Sequence, residues 1–419
     1  MSETRVVTLG CRLNTYESEV MRTHAENAGL EDSIVVNTCA VTGEAERQAR
    51  QTIRKLRREN PEAKIIVTGC AAQIHPEEYA DMPEVDRVLG NREKMQPESF
   101  QFDPTKLDTT QVNVTDIMTA KETAHHLIGG FGSRVRAFVQ VQQGCDHRCT
   151  FCIIPFGRGP NRSLPIGAIV EQVRTLTKGG FKEVVLSGVD LTSYGADLPG
   201  QPPLGQMVKR LLIAVPELER LRLSSLDPAA IDDDLFEAIT QEPRVMPHIH
   251  LSLQAGDDMV LKRMKRRHSR QQAIDLCTSL KANRPDLVFG ADLIAGFPTE
   301  SDEMFENSLK LVEDCGLTFL HVFPYSTRPD TPAAKMPDVP GDVRKERAAR
   351  LRSKGASALK TYMKSRIGTT ANVLVEKNDE GLCEHYVRVR LDASAEPGSI
   401  VPVHFTGVEA DFMLGTIDV

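Results

Sequence analysis

Residues 135–152 read VRAFVQVQQGCDHRCTFC, an apolar strand-like run followed at once by a short loop that carries three cysteines. The loop has the spacing Cys145-x3-Cys149-x2-Cys152. Three thiolates on one loop can hold three irons of a [4Fe–4S] cluster, for which four cysteines are the ordinary number. The fourth iron is then free for a ligand that is not protein. Because His147 lies inside the loop, a zinc site with three cysteines and one histidine is the competing interpretation.

Toward the C-terminus, five further strand-like runs alternate with helical stretches, at residues 184–186, 221–225, 249–253, 287–294 and 320–325. Six strands in this pattern predict an α/β fold with a partial parallel barrel, whose chemistry lies at the carboxyl ends of its strands. Polar residues occur at those ends, where a helix cap or turn explains any one of them as well as a ligand contact does. They are Ser187, Ser225, Asp227, Gln254 and Asp292.

Toward the N-terminus, three short apolar runs each end in a cysteine: residues 6–11 at Cys11, 34–39 at Cys39 and 65–70 at Cys70. Their spacing is about one strand plus one crossover helix, which predicts a parallel βαβ domain. The carboxyl ends of parallel strands share one edge of a sheet, so the three thiols are expected to converge into a second three-cysteine site. Three separate buried thiols are the alternative.

Two further segments of the chain are distinguished by their composition: a polar stretch in the middle and a basic, alternating stretch at the C-terminal end. Residues 98–134 are polar and aperiodic, as in a linker, with AHHLI at 124–128 as a candidate docking segment. After a basic helix near residues 343–364, apolar Val387, Val389 and Leu391 alternate with Tyr386, Arg388 and Arg390, which predicts a small antiparallel β-barrel. The predicted domains are residues 1–105, 131–362 and 366–419.

Composition limits the classes of function. The formal net charge of −7 over 419 residues argues against a generally basic nucleic-acid binder, so RNA contacts must come from local patches. No window reaches the roughly 20 apolar residues of a membrane helix. The start of the sequence does not look like an export signal, and the cysteine count is odd, at nine. Both features suit a reducing cytoplasm, where thiols bind metal or react.

At this point a family resemblance is clear. Residues 144–152 look like the signature of radical S-adenosylmethionine enzymes, and the whole chain resembles the methylthiotransferase branch of that superfamily. The strings that carry this resemblance are NTCAVT at 37–42, VTGCAAQ at 67–73, FGRG at 156–159, LQAGDD at 253–258, GFPTE at 296–300 and FPYS at 323–326. The C-terminal barrel is similar to the RNA-binding domain called TRAM.

The resemblance implies two [4Fe–4S] clusters. One, on Cys145, Cys149 and Cys152, would generate a deoxyadenosyl radical from S-adenosylmethionine, and the other, on Cys11, Cys39 and Cys70, would carry the sulfur to be inserted. A second S-adenosylmethionine would supply the methyl group. Phe151 would lie near the cofactor's adenine, and the candidate contacts to its polar groups are Ser187, Ser225, Asp227 and Gln254.

The implied reaction is methylthiolation of C2 of N6-threonylcarbamoyladenosine at nucleotide 37 of tRNA. The alternatives are N6-isopentenyladenosine in tRNA, an aspartate of a ribosomal protein or, outside enzymes, a zinc-dependent RNA-binding protein. The implied partners are a tRNA anticodon stem-loop, a flavodoxin- or ferredoxin-like electron donor and a sulfur donor, with no membrane. A solvated basic surface competes with RNA contact at the candidate arginines, which are Arg47, Arg50, Arg54, Arg266, Arg388 and Arg390.

Overall fold

The structure is a computed structural model that describes residues 4–101, 112–121, 130–131 and 134–418. The candidate docking segment 124–128 and the predicted domain boundary at residue 105 lie outside the described residues. None of the described helices is long and apolar enough to cross a membrane.

The N-terminal part is a five-stranded parallel sheet in the simple order β1-β2-β3-β4-β5. All three predicted strands are present, and two short strands that the sequence pattern did not reveal extend the sheet. Both faces are covered, since alternate residues of β2 and β3 pack into two different apolar clusters. The elements are β1 Arg5–Thr8, α1 Arg12–Asn27, β2 Ser33–Thr38, α2 Gly43–Glu59, β3 Lys64–Gly69, α3 Cys70–Ile74, α4 Pro76–Ala80, β4 Arg87–Leu89 and β5 Val112–Asn113.

The central part confirms the partial parallel barrel. Its six long strands form two parallel sheets, β6-β9-β10 and β11-β12-β13, which single bridges at Leu221–Val245 and Leu226–Leu251 connect. A small antiparallel pair, β7 with β8, closes the base of the cysteine loop. The elements are β6 Arg136–Gln140, β7 Gln142–Gln143, α5 Ile154–Arg158, β8 Arg162–Ser163, α6 Ile166–Lys178, β9 Glu183–Ser187, α7 Leu204–Ala214, β10 Arg220–Leu223, α8 Asp233–Gln241, β11 His248–Gln254, α9 Asp258–Arg263, α10 Arg270–Asn283, β12 Val288–Ala295, α11 Asp302–Asp314 and β13 Leu317–Pro324.

The C-terminal part is a closed five-stranded barrel in the order β14-β15-β16-β18-β17. One pair, β16 with β18, is parallel, so the expectation of a purely antiparallel barrel is corrected in this detail. A long helix, α12, leads into it as the basic segment predicted. The elements are α12 Gly341–Ser365, β14 Thr370–Lys377, β15 Glu380–Cys383, β16 Arg388–Leu391, β17 Ile400–Glu409 and β18 Phe412–Ile417.

The alternation predicted that Tyr386 shares an outer face with Arg388 and Arg390, and this prediction is wrong. Its ring stacks on His248 of the central barrel, with centroids 4.4 Å apart. Its hydroxyl accepts a hydrogen bond of 2.9 Å from Arg12, which directly follows Cys11. Tyr386 therefore joins the three parts of the chain instead of presenting a surface aromatic.

Candidate active site: two cysteine trios beside one cavity

Cys11, Cys39 and Cys70, the auxiliary trio, converge at the carboxyl edge of the N-terminal sheet. Cys11 precedes α1, Cys39 directly follows β2, and Cys70 begins α3. Burial, reinforced by the neighbouring thiols of Cys70 and Cys11, raises the pKa of Cys39 to about 12. Gly69 makes the arrangement possible, because its φ is +100° and a Cβ there would lie 2.3 Å from the carbonyl oxygen of Thr38.

A buried network of charges supports this trio. The Nε of Arg158 donates to Cys70 Sγ at 3.1 Å, and its Nη1 donates to Glu17 at 2.5 Å. Lys94 donates to the other oxygen of Glu17 at 2.6 Å, and all three charged side chains are almost fully buried. Two cations face one carboxylate, so one positive charge remains for an anion beside Cys70. A thiolate-bound iron–sulfur cluster supplies such a charge, and the donor set fits it.

Glu17 and Lys94 carry no recognisable signal in the sequence pattern, and Arg158 stands out only as part of the string FGRG at 156–159. A lone charged residue in a helix ordinarily indicates a solvated face, and no local spacing relates these three. The signal that could have found them is the placement of Arg158 just after the cysteine loop.

Cys145, Cys149 and Cys152, the loop trio, lie in a tightly closed loop. The amide of Cys145 donates to the carbonyl of Gly159 at 3.0 Å, and Gly144 has a φ of +72°. A Cβ on Gly144 would lie 1.9 Å from the carbonyl oxygen of Pro160, so only glycine fits this turn. Burial raises the pKa values of Cys145 and Cys152 to about 12.

The spacing of the ligand atoms argues against zinc in the loop trio. His147 Nε2 lies 2.8 Å from the carboxylate of Asp190, so only its Nδ1 could act as a fourth ligand. In the part of the chain that the structure describes, two groups of three potential metal ligands have all their ligand atoms within 4.8 Å of one another. Neither group is a cysteine trio. Zinc–sulfur bonds of about 2.3 Å would place sulfurs about 3.8 Å apart. The wider arrangement suits the corners of a cubane.

Neighbours of both trios line one cavity of about 200 Å³, although none of the six cysteines lines it. Phe151 of the cysteine loop lines it from one side, and Val41 and Thr42, just after Cys39, line it from the other. A Cβ on Gly157 would lie 3.2 Å from the Cβ of Cys70. Since Gly157 is five residues from Cys152, its Cα is at most about 18 Å from the loop trio. The arrangement therefore allows one substrate to contact both sites.

The five predicted cofactor contacts fall into different surroundings. Phe151 and Gln254 line the cavity. Ser225 is half-buried, and Ser187 is buried with its hydroxyl donating to the carbonyl of Val185 at 3.3 Å. Asp227 accepts from Arg266 and Arg267 at 3.1 Å each. Contact of these five residues with S-adenosylmethionine stays a prediction.

The assignment of Arg266 to RNA is corrected. Its side chain is only 9% exposed, its Nη2 donates to Asp227 and the carbonyl of Ser252, and its Nη1 lies 3.6 Å from Cys149 Sγ. The run of basic residues from 262 to 268 suggested a surface, but the turn after α9 directs this one inward. Arg266 supports the loop trio.

The other candidate arginines are accessible. On α2, Arg47 pairs with Glu44 at 2.5 Å, Arg50 lies 3.9 Å from Glu78, and Arg54 is exposed. In the C-terminal barrel, Arg388 and Arg390 lie over the Phe412 ring, 4.1 and 4.8 Å from its centroid. Phe412, not Tyr386, thus supplies the aromatic partner of this basic face.

Comparison with known proteins first defines the class. Residues 139–312 match the radical SAM superfamily, and residues 3–90 match the uncharacterized protein family UPF0004. A radical S-adenosylmethionine methyltransferase from Kitasatospora setae, TsrM, superposes with a TM-score of 0.58 over 84% of this chain and 91% of that one. At 13% identity, this likeness shows the fold alone.

Curated relatives then define the family. A threonylcarbamoyladenosine tRNA methylthiotransferase, MtaB, from Rickettsia prowazekii is 54% identical over 97% of this chain and 96% of its own. Its counterpart from Aquifex aeolicus is 35% identical over 94% and 98%. A tRNA-2-methylthio-N(6)-dimethylallyladenosine synthase from Cereibacter sphaeroides is 33% identical over 99% of each chain. The chain belongs to the methylthiotransferase family of radical S-adenosylmethionine enzymes.

Proposed function

We propose that this enzyme transfers a methylthio group to C2 of N6-threonylcarbamoyladenosine at nucleotide 37 of tRNA. The relative at 54% identity, which the alignment covers almost completely, carries the name of this activity. The structural observation that supports it most is the cavity lined by neighbours of both trios, because the reaction needs a radical source and a sulfur source at one carbon atom.

The residues present fit two [4Fe–4S] clusters and S-adenosylmethionine. The loop trio would hold the cluster that binds S-adenosylmethionine, and the auxiliary trio would hold the second. When bound, these groups supply a carbon radical able to remove a hydrogen atom from an unactivated C–H bond, the sulfur to be inserted, and the methyl group.

The chain's own residues neutralise negative charge at the two trios and keep water out of the cavity. Arg158 places a cation on Cys70, and Arg266 places one beside Cys149, so each trio has a guanidinium that stabilises negative charge on its sulfurs. Phe151 and Phe323 give the cavity apolar walls that exclude water from a reactive radical. Gln254, in a backbone conformation with φ of +68°, presents an amide to the same space.

The proposed division of labour follows the domains 1–105, 131–362 and 366–419, for the auxiliary site, the radical chemistry and the RNA. Exposed arginines on α2 lie on the helix that begins four residues after Cys39, and Arg388 and Arg390 lie on the terminal barrel. Together they would bind phosphates of the anticodon stem-loop. A low-potential flavodoxin- or ferredoxin-like protein would supply electrons, a separate donor would supply sulfur, and the enzyme would act in the cytoplasm.

Mass spectrometry of tRNA nucleosides from a deletion strain tests the substrate. Loss of the 2-methylthio derivative of threonylcarbamoyladenosine, with the isopentenyladenosine derivative intact, is the expected result. The opposite pattern would replace this proposal with the activity named for the Cereibacter relative.

Three serine variants test the roles of the trios. Cys149→Ser is expected to abolish cleavage of S-adenosylmethionine, whereas Cys39→Ser should preserve cleavage and stop sulfur insertion. Cys277→Ser is the matched control, because Cys277 is a buried core residue outside both trios. Methylthiolated product from Cys39→Ser would refute the auxiliary role.

A further inference from the structure

Inside the central barrel, three potential metal ligands lie on three adjacent strands: His250 on β11, Asp292 on β12 and His321 on β13. Asp292 is the register partner of His321, and its neighbour Gly290 is the partner of His250. One ligand atom from each residue lies within 4.8 Å of the other two. Neither the proposed reaction nor the family strings assign a role to this group, which we name the histidine–aspartate trio.

The distances in the trio match the edges of a metal coordination shell. His250 Nε2 lies 3.0 Å and His321 Nδ1 3.2 Å from the same Asp292 oxygen, Oδ1. Ligands about 2.1 Å from one ion are about 3.0 Å apart in octahedral and about 3.4 Å apart in tetrahedral geometry. Two imidazoles and one carboxylate form a donor set that suits divalent transition metals.

Hydrogen bonding satisfies only part of the trio. His321 Nδ1 and Asp292 Oδ1 form a hydrogen bond of 3.2 Å. The His250 side chain is 8% exposed, and its Nε2 pairs with the same oxygen at 3.0 Å, although the direction of this contact is poor for a hydrogen bond. A shared ion accommodates this contact, because the lone pairs of both ligands then point at the ion and not at each other.

The trio also has the access that an ion and its exchangeable ligands need. Asp292 lines the cavity beside both cysteine trios, and the His321 side chain is 56% exposed. Behind them Gly290 leaves room for the His250 ring, since a Cβ there would lie 2.6 Å from its Nδ1. Asp292 thus connects the trio to the cavity, and His321 connects it to solvent, so exchangeable ligands can reach an ion held between the three side chains, as in metal sites that bind substrate.

We propose that His250, Asp292 and His321 bind one divalent transition-metal ion whose open positions face the substrate cavity. If the proposed function holds, the N6-threonylcarbamoyl group offers carbonyl, hydroxyl and carboxylate oxygens to this ion, whereas a dimethylallyl group offers none. The ion would then favour the first substrate over the second.

The test counts metal in the holoenzyme without tRNA. Anaerobically reconstituted wild type, Asp292→Asn and His321→Ala are dialysed against micromolar ZnCl2, and zinc and iron per chain are measured by elemental mass spectrometry. His404→Ala, on the terminal barrel, is the matched control. Loss of an outer-shell partner costs roughly 10- to 100-fold in metal affinity. Loss of a ligand should therefore lower zinc affinity at least about 100-fold, leaving both variants about one metal ion below wild type and control.

Equal metal content in wild type, Asp292→Asn and His321→Ala would overturn the proposal. Because His321 is more than half exposed, its variant is expected to fold, and S-adenosylmethionine cleavage without tRNA reports that the cluster sites are intact. If the wild type does not modify threonylcarbamoyladenosine, the proposed function is refuted. The metal site is tested separately, because zinc is counted without tRNA.

Discussion

Replacing Glu17 with glutamine removes the only carboxylate of the described residues that faces both Arg158 and Lys94 in the network behind the auxiliary trio. The glutamine retains the shape of the side chain, so the change isolates charge from packing. Burial opposes ionisation of Glu17, but the two cations prevail and lower its pKa from 4.5 to about 2. The variant therefore leaves two buried cations with no carboxylate between them.

Two routes give the same magnitude for this change. A pKa shift of this size corresponds to about 3 kcal/mol of native-state stabilisation. Removing one partner of a buried ion pair costs about 3–5 kcal/mol by experience with other proteins. We therefore expect Glu17→Gln to lower the free energy of unfolding by about 3 kcal/mol near neutral pH.

Urea unfolding of the apoprotein, followed by circular dichroism across pH, measures this effect. Because the folded-state pKa of Glu17 is depressed, its contribution is present above about pH 4.5 and is lost as pH falls toward about 2. The difference between wild type and Glu17→Gln should shrink across that window. Glu44→Gln, an exposed partner of Arg47, is the matched control and should change little. If both variants unfold alike at neutral pH, the charge argument is refuted.

Three further outcomes follow from the site. Gly69→Ala should prevent assembly of the auxiliary site and lower the iron content of the protein. Gly29→Ala is the control, because Gly29 also has a positive φ but no atom lies within 4 Å of the added Cβ, so this variant should bind as much iron as wild type. Equal iron content in both variants would contradict the steric argument. Arg266→Gln should impair S-adenosylmethionine cleavage with tRNA affinity unchanged, and Arg390→Gln the reverse, as cleavage assays and filter binding would report. Because burial raises the pKa of Cys39 to about 12, iron must displace its proton, so iron incorporation at limiting iron should rise from about pH 7 to about pH 9; a fall would contradict this.

Much of the fold was predictable because it rests on local patterns. Apolar runs of strand length predicted all six barrel strands and the first three strands of the N-terminal sheet. The missed strands of that sheet, β4 and β5, have only three and two residues, and the missed pair β7 and β8 has two residues each, too few for a period to show. The parallel pair of β16 with β18 was also unpredictable, since pairing direction depends on how the barrel closes and not on either strand.

The site was predictable only where chemistry and short spacing coincide. The loop trio follows from eight consecutive residues, and the auxiliary trio follows from the rule that parallel strands end at one edge. Arg266 was misassigned because a basic run looks the same whether one of its members faces solvent or Cys149. Glu17, Lys94 and Arg158 could not be predicted as a group, because only their contacts in the folded chain relate them.

The amino-acid order by itself determined which thiols can be ligands, which strands carry them and which enzyme family the chain resembles. Only the tertiary structure decided that neighbours of both trios line one cavity, that a guanidinium lies beside a sulfur of each trio, and that two histidines meet an aspartate of the same cavity. Strand and loop patterns depend on neighbours a few residues apart, whereas the two guanidinium–sulfur contacts join side chains 88 and 117 positions apart. Such contacts depend on how the N-terminal sheet packs against the barrel, and the periodicity of neighbouring residues does not predict that packing.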